Sequence, residues 1–216
     1  MAMSKTPSGK IIQRLHALDL STGKEEFGGP AVIRAKYPGT GAGSHNGMVV
    51  FIPKQYKERA GLLLLGHTIV TSWSSHCDIS PYTGWIMDYN GLSLKQTSVL
   101  NITPNGSDGA TWMSGAGPAA SPSGAIYLLA ANGTFDTAPT KAGFPIHGDY
   151  GNAFLKIIID DGKLEAADYF DMDNTVAESE RDEDLGSGGA MVLPPMKDAQ
   201  GHVVHLAVGA GKDRNI

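Results

Sequence analysis

A recurring pattern of strand, turn and strand constrains the fold of this 216-residue chain more than any other feature. Three segments each read as an apolar strand, a polar turn that contains glycine, and a second strand. These segments are residues 15–27, 85–100 and 154–170. A second pattern consists of a strand, or the residues that precede one, then a turn, and then a strand followed by small residues. It occurs at residues 62–75, 119–133 and 193–211. The two patterns together define a unit of four short strands.

A repeated unit of four strands is the blade of a β-propeller, so we predict an all-β fold of four-stranded antiparallel blades. The second and third copies of the first pattern begin 69 residues apart (154 − 85). Ordinary blades repeat at roughly 40–50 residues, so the excess predicts long loops. A β-sandwich also predicts short strands but gives no reason for a recurring unit. Because no window keeps the apolar periodicity of a helix over ten residues, we predict almost no helix.

The predicted domain organisation is one incomplete propeller behind a short N-terminal segment. Residues 1–10 are expected to be flexible, and residues 11–216 to form the propeller domain of about three to four blades. Its predicted parts are a blade end at 11–60, blades at 61–103 and 109–170, and a partial blade at 185–216. An unclosed arc of blades exposes strand edges that can pair with another chain. We therefore expect self-association through those edges.

Composition excludes several classes of partner. Glycine contributes 28 of 216 residues, about 13% against a usual share of roughly 7%, as expected for a chain with many tight turns. The formal charge of −5 comes without a basic stripe, so nucleic acid is not an expected partner. A single cysteine, Cys77, excludes an internal disulfide. Residues 1–10 lack the apolar core of a signal peptide, and the apolar run at 61–65 is too short to span a bilayer.

Residues 17–24, ALDLSTGK, place an aspartate just before a Thr-Gly-Lys turn. This segment resembles the blade-end signature of the quinoprotein-like (PQQ-type) β-propellers. The segments SHCDISPYTGWIMDYN, DYGNAFLKI and DLGSGGAMVLP look like further blades of one bacterial branch of that family. The resemblance covers the chain from Leu15 onward and marks blade structure rather than chemistry. It implies an internal portion of a ring of about seven or eight blades, and a parent protein in the periplasm or outside the cell.

The resemblance also implies a possible cofactor site. In quinoprotein alcohol dehydrogenases, PQQ stacks between a tryptophan and a vicinal disulfide, a calcium ion is held by Glu, Asn and Asp, and an Asp acts as base. Cys77 alone cannot form a vicinal disulfide, and no Asp or Glu falls in a motif that matches the calcium ligands or the base. We therefore assign no cofactor, and PQQ or a metal ion remains the alternative.

Polar side chains on the predicted blade-face loops are the candidates for chemistry. The candidate catalytic residues are His76, Asp78, His147 and Asp184. The candidate metal ligands are His67, His76, Cys77, Asp171 and Asp173. Neighbouring residues of an extended strand point to opposite faces, so His76 and Cys77 bind one ion only if the loop turns sharply there. The alternatives are ordinary loop packing for the first group and a solvated acidic loop at 171–184 for the aspartates.

The three tryptophans offer a different kind of site. Trp73, Trp85 and Trp112, with Tyr82, have the side chains of a stacking platform for a cofactor, a carbohydrate or another flat small molecule. The alternative is that they pack inside the blades.

The sequence thus predicts a PQQ-like propeller repeat module with a binding or scaffolding role. The alternative is an oxidoreductase or a hydrolase that uses the loops around His76, His147 and Asp184. An enzyme brings several of these polar groups into one concave pocket, whereas a scaffold scatters them over its rim. The sequence leaves the choice open.

Overall fold

The computed structural model describes residues 1–212, and strands form most of its regular structure. The strands in the first half of the described chain are β1 (Ala2–Lys5), β2 (Ile11–Leu15), β3 (Ala31–Val32), β4 (Lys36–Pro38), β5 (Met48–Val50), β6 (Tyr56–Lys57), β7 (Leu63–Leu65), β8 (Thr68–Ser75), β9 (Trp85–Asn90) and β10 (Gln96–Asn101). The second half contributes β11 (Ala119–Ala120), β12 (Ile126–Leu129), β13 (Phe154–Asp160), β14 (Lys163–Phe170), β15 (Met191–Val192), β16 (Met196–Lys197), β17 (Val203–Val204) and β18 (Ala207–Val208). A single α-helix in this range, α1 (Thr175–Glu180), accompanies 3₁₀ turns at Met113–Gly115 and Leu185–Ser187.

Two antiparallel sheets carry the blade pattern that the sequence predicts. One has the strand order β10-β9-β8-β6, with β7 also pairing with β8, and the other has the order β11-β12-β13-β14. In each sheet, neighbouring strands come from consecutive parts of the chain, as in a propeller blade. The remaining strands form a three-stranded sheet, β1-β2-β3, and the pairs β4-β5, β15-β18 and β16-β17. The predicted all-β propeller architecture, incomplete in this chain, is confirmed.

Glycine-containing turns set the register of both blades. The hairpin between β13 and β14 closes through Asp161 and Gly162, whose φ angles are 45° and 73°. A two-residue hairpin turn with positive φ at both positions matches the twist of the strands, and glycine adopts that conformation without strain. Gly66, with a φ of 58°, makes the break between β7 and β8 that the sequence predicts.

The sheet containing β8 and β9 is buried on both faces. One face contributes Val70 and Ile86 to an apolar core shared with β12 and β13 of the next sheet. The opposite face contributes Trp73 and Trp85 to a second core with Leu15 of β2. Adjacent residues of a strand point to opposite faces, so one pair of strands serves two cores. This sheet is therefore the centre around which the described chain packs.

The acidic segment differs from the sequence expectation, and the N-terminal segment contains a strand. Within residues 1–10, expected to be flexible, β1 pairs with β2 in the register Ala2↔Arg14 to Lys5↔Ile11. The acidic segment 171–184, expected to be exposed, instead contains α1 and buries Thr175, Glu178 and Asp184. The physical reason is Asn152, which donates from its side-chain amide to Glu178 and accepts from the backbone N–H of Leu185 at 2.8 Å. These bonds hold the segment against the sheet β11-β12-β13-β14.

Candidate functional site

A cleft of about 320 Å³ brings together three residues that the sequence singled out, Asp78, Trp112 and Asp184. The other side chains that line it are Arg59, Ser114, Asn132, Asp182, Ser187 and Lys212. The cleft lies where loops from successive blades meet, because Asp78 follows β8, Asn132 follows β12 and Trp112 lies between the two sheets. Its volume is at the small end of the roughly 300–1,000 Å³ typical of small-molecule sites. It is the best candidate site in the described chain.

Trp112 and Arg59 form one wall of the cleft. Trp112 precedes the 3₁₀ turn at Met113–Gly115, and the fully buried Met113 anchors that turn in the core. The guanidinium carbon of Arg59 lies 5.5 Å from the centroid of the Trp112 ring. A guanidinium at this distance is attracted to the indole face. Since a stacked guanidinium keeps its N–H groups along its edge, Arg59 still has donors for another partner.

Lys212 and two aspartates form a second charged group in the cleft. The Lys212 Nζ atom lies 2.5 Å from Asp184 Oδ2 and 3.0 Å from Asp182 Oδ2. Asp184 also accepts a hydrogen bond from the backbone N–H of Asn132 at 2.7 Å. Lys212 in turn donates to the carbonyl oxygen of Asp182 at 2.9 Å. Each of the two carboxylates is thus paired with the same ammonium, and the three side chains satisfy one another.

Burial and ion pairing act in opposite directions on these groups. Burial raises the pKa of Asp184, while the Lys212 ammonium and the Asn132 N–H partly oppose that rise. The hydrogen bond from Lys212 lowers the pKa of Asp182, which is more exposed. Burial alone would lower the pKa of Lys212, but its bonds to the two aspartates outweigh burial and raise that pKa. Lys212 is therefore a cation held in place rather than a free amine.

Asp78 is positioned by a sharp turn and a buried tyrosine. Cys77 and Asp78 both have positive φ angles, 57° and 55°, so the loop after β8 does turn abruptly. The hydroxyl of Tyr82, a residue only 1% exposed, donates to Asp78 Oδ1 at 2.5 Å. Burial raises the pKa of Tyr82, so the phenol stays a neutral donor. Asp78 is thus oriented by a rigid partner, with its second oxygen left for another contact.

The two candidate histidines lie outside the cleft lining. His76 is exposed at the start of the sharp turn. His147 belongs to another network, in which its Nδ1 lies 3.1 Å from Asp136 Oδ1 and its backbone N–H donates to Asp136 at 2.8 Å. The neighbouring Asp149 accepts backbone hydrogen bonds from Asn105 and Gly106. These contacts tie two loops together, which is an arrangement for holding the loops rather than for chemistry.

The predicted stacking platform of three tryptophans is wrong for two of its members. Trp73 and Trp85 are 0% exposed and pack edge-on against Phe51, at ring centroid distances of 4.8 and 6.0 Å. Buried in the core, neither ring presents a face to a ligand. Tyr82 is buried as well. Trp112 is the tryptophan that reaches a cleft, and it is half-buried there.

The candidate metal ligands are scattered in the described chain. His67 lies in the β7–β8 hairpin, His76 and Cys77 lie in the turn after β8, and Asp171 and Asp173 follow β14. Within residues 1–212, no group of three His, Cys, Asp or Glu side chains comes together in a way that would hold a metal ion. The metal hypothesis therefore has no supporting geometry in this part of the chain.

Three residues of the cleft carry no signal that sequence reasoning can use. Arg59, Asn132 and Lys212 lie in polar loops far apart in the chain and belong to no chemical motif. Only the packing of successive blades places them beside Trp112. The acidic run at 182–184 is visible in the sequence, but its pairing with Lys212 is not.

The strands, their order and the loops that meet at the cleft define an incomplete all-β propeller. No protein-family model matches the chain, and no curated protein matches it. Among solved structures, the chain is similar to a quinohemoprotein alcohol dehydrogenase from Pseudomonas putida, with a TM-score of 0.58 and 12% sequence identity. The match covers 94% of this chain and 30% of that one. At this identity the similarity shows the propeller fold alone, and the chain spans less than a third of the length of that dehydrogenase.

The residues of this chain do not fit the quinone site that the resemblance implies. Cys77, the single cysteine, excludes a vicinal disulfide. Trp73 and Trp85 are enclosed in the core, and the face of Trp112 that Arg59 covers is already occupied by a guanidinium. The carboxylates of Asp182 and Asp184 are paired with Lys212 rather than arranged around a cation position. The residues that line this cleft therefore do not fit a bound PQQ.

Helices long and apolar enough to cross a membrane do not occur in residues 1–212.

Proposed function

We propose that this chain is a PQQ-like propeller module with a binding role, and that its ligand occupies the cleft between Trp112 and Asp184. The observation that carries the proposal is the convergence of Asp78, Trp112 and Asp184, from separate loops, on one cleft. A small concave site with one aromatic ring and a few fixed polar groups is the usual form of a small-molecule site. The ligand is accordingly a small polar molecule.

The side chains of the cleft favour binding over catalysis. General base catalysis needs a group that accepts a proton. Lys212 is held as a cation by Asp182 and Asp184, whose carboxylates it occupies, and Asp78 already accepts a hydrogen bond from Tyr82. The two serines that line the cleft donate to backbone oxygens, Ser114 to Ser187 and Ser187 to Asp184. The described lining contains no histidine or cysteine that would activate them. The oxidoreductase or hydrolase of the alternative hypothesis has no equivalent support.

Fluorescence tests the proposal directly, because the other two tryptophans are fully buried. Small polar molecules are titrated into the protein while the emission of Trp112 is followed. The panel contains glucose as a carbohydrate, 4-aminobutyrate as a zwitterion, butyrate as an anion, and PQQ for the alternative. We expect saturable changes with at least one of the first three, and loss of those changes in Trp112→Phe.

Two controls make the outcome decisive. Trp85→Phe alters a buried ring and should keep the ligand-dependent signal as long as the protein folds. Should no compound produce a saturable change in the wild-type protein, the binding proposal is wrong. Saturable binding of PQQ that is lost in Trp112→Phe, together with dye reduction by an alcohol, would instead support the dehydrogenase alternative.

Two further proposals follow from the resemblance and the open architecture. We propose that the parent protein is exported, as the PQQ-type resemblance implies, and that this chain self-associates through strand edges. Light scattering across a range of protein concentrations tests the second. A constant monomer mass, together with one cooperative unfolding transition, would contradict self-association.

A further inference from the structure

The cleft holds two opposite charges that have no ionic partner. Within residues 1–212, no carboxylate lies within 4.0 Å of Arg59, and no ammonium or guanidinium lies within 4.0 Å of Asp78. Both side chains line the same cleft of about 320 Å³. In contrast, the other cation that lines the cleft, Lys212, is paired with Asp182 and Asp184. The cleft therefore offers a ligand one free positive and one free negative group.

Arg59 and Asp78 are both exposed, but each is held in position by a neighbouring aromatic side chain. The guanidinium carbon of Arg59 lies over the Trp112 ring, 5.5 Å from its centroid, and this contact leaves guanidinium N–H groups for a carboxylate. Asp78 is fixed by the Tyr82 hydroxyl at 2.5 Å and by the left-handed turn at Cys77 and Asp78. A positioned charge loses less conformational entropy on binding than a mobile one, so it contributes more to affinity. Two such groups of opposite sign point to one class of ligand.

We propose that the ligand of this cleft is a small zwitterion, whose carboxylate binds to Arg59 and whose ammonium binds to Asp78. This inference rests on the proposed binding function and names its ligand class. A neutral sugar leaves both charges without an ionic partner. An anion satisfies Arg59 but is repelled by Asp78, and a cation has the reverse difficulty. Lys212, Asp182 and Asp184 line the same cleft and are already paired with one another.

The test compares molecules that differ by one charge. Butyrate, butylamine and 4-aminobutyrate share the same carbon chain and carry the anion alone, the cation alone and both. Binding is measured through the fluorescence of Trp112 and by calorimetry. We expect the zwitterion to bind at least about tenfold more tightly than either single-charge molecule, as removal of a charge-assisted hydrogen bond implies. Glycine, β-alanine and 5-aminopentanoate then locate the best separation of the two charges.

Variants assign each end of the ligand. Arg59→Gln should reduce the affinity for the zwitterion about 10- to 100-fold and leave butylamine unchanged. Asp78→Asn, which retains an acceptor for Tyr82, should cause a similar loss and leave butyrate unchanged. Arg59→Lys keeps the charge without the planar fork and should give an intermediate affinity. Thermal unfolding of each variant, followed by circular dichroism, confirms that it folds.

The outcomes separate this inference from the binding proposal. If no zwitterion of the series binds more tightly than its single-charge counterparts, the zwitterion inference is wrong. Binding of glucose that depends on Trp112 but not on Arg59 or Asp78 would leave the binding function standing and remove this ligand class. Absence of binding by every compound would remove both.

Discussion

Trp73 and Trp85 lie directly opposite each other on β8 and β9, and both side chains are completely buried. Phe51 packs edge-on against both rings, and Tyr56 packs edge-on against Trp85. Directly opposed aromatic residues are among the favourable cross-strand pairs in antiparallel sheets. The pair therefore joins the two central strands to the core beneath them.

Truncating this pair should cost far more stability than truncating the third tryptophan. We expect Trp73→Ala to lower the free energy of unfolding by about 3–5 kcal/mol, the usual cost of removing a large buried aromatic ring. Trp112→Ala removes a half-buried ring and its contact with Arg59, so it should lower the free energy of unfolding by only about 1 kcal/mol. Urea unfolding followed by circular dichroism compares the two variants. Equal losses would contradict the assignment of Trp73 to the core.

A close backbone approach between Gly133 and Gly109 gives a second prediction. A Cβ atom at Gly133 would lie 2.2 Å from the backbone nitrogen of Gly109, and backbone atoms cannot move aside as a flexible side chain can. Gly133→Ala should therefore prevent folding or lower stability by more than about 3 kcal/mol, in the range of severe steric changes. Gly61→Ala is the matched control, because its added Cβ would lie 3.5 Å from the nearest atom. Soluble yield and melting temperature report both variants.

Sequence reasoning reached the blades because turns are encoded locally. Asp161 with Gly162 and the isolated Gly66 are short-range signals that place hairpins correctly. The direction in which Trp73 points is not local, because β8 is buried on both faces and alternation cannot separate a core face from a ligand face. The cleft is harder to predict from the sequence, because Arg59 and Lys212 come to line it together only when the blades pack. The sequence therefore identifies some of the residues that line the cleft, but not the residues with which they pair.

Asn152 gives a third prediction, because it links the sheet β11-β12-β13-β14 to the acidic segment. It is fully buried with a φ of 56°, and its side chain bonds to Glu178 and to the Leu185 backbone. Asn152→Gly retains that conformation but leaves Glu178 and Leu185 without these partners, at a cost of about 2–3 kcal/mol. Asn152→Ala adds backbone strain of about 1–2 kcal/mol. If the two variants unfold at the same urea concentration, the left-handed conformation is not contributing.

Loss of the Asn152 contacts should also loosen the acidic segment locally. Since the backbone N–H of Leu185 loses its acceptor, its hydrogen exchange should accelerate in both Asn152 variants, together with that of α1. Amides of β9, within the central sheet, provide an internal reference. Uniform acceleration throughout the chain would indicate global destabilisation instead.

Glu58 gives a prediction about pH. Burial raises the pKa of this carboxyl from 4.5 to about 7, and its Oε1 atom has no hydrogen-bond partner within the described chain. Below pH 4.5 the carboxyl is protonated in both the folded and the unfolded state, so it makes no difference to stability. Between pH 4.5 and 7 the unfolded state ionises while the folded state keeps its proton, so stability falls as pH rises. Above about pH 7 the loss is complete.

Replacing Glu58 by glutamine should remove this loss. Because the side chain is only partly buried, solvent screening reduces the effect to about 1–2 kcal/mol. We therefore expect Glu58→Gln to be more stable than the wild-type protein by that amount at pH 8.5, and to match it at pH 4.5. Chemical unfolding at the two pH values measures the difference, and Glu26→Gln, at an exposed position, serves as the surface control. A stability gain of the same size at both pH values would show that ionisation of Glu58 is not its cause.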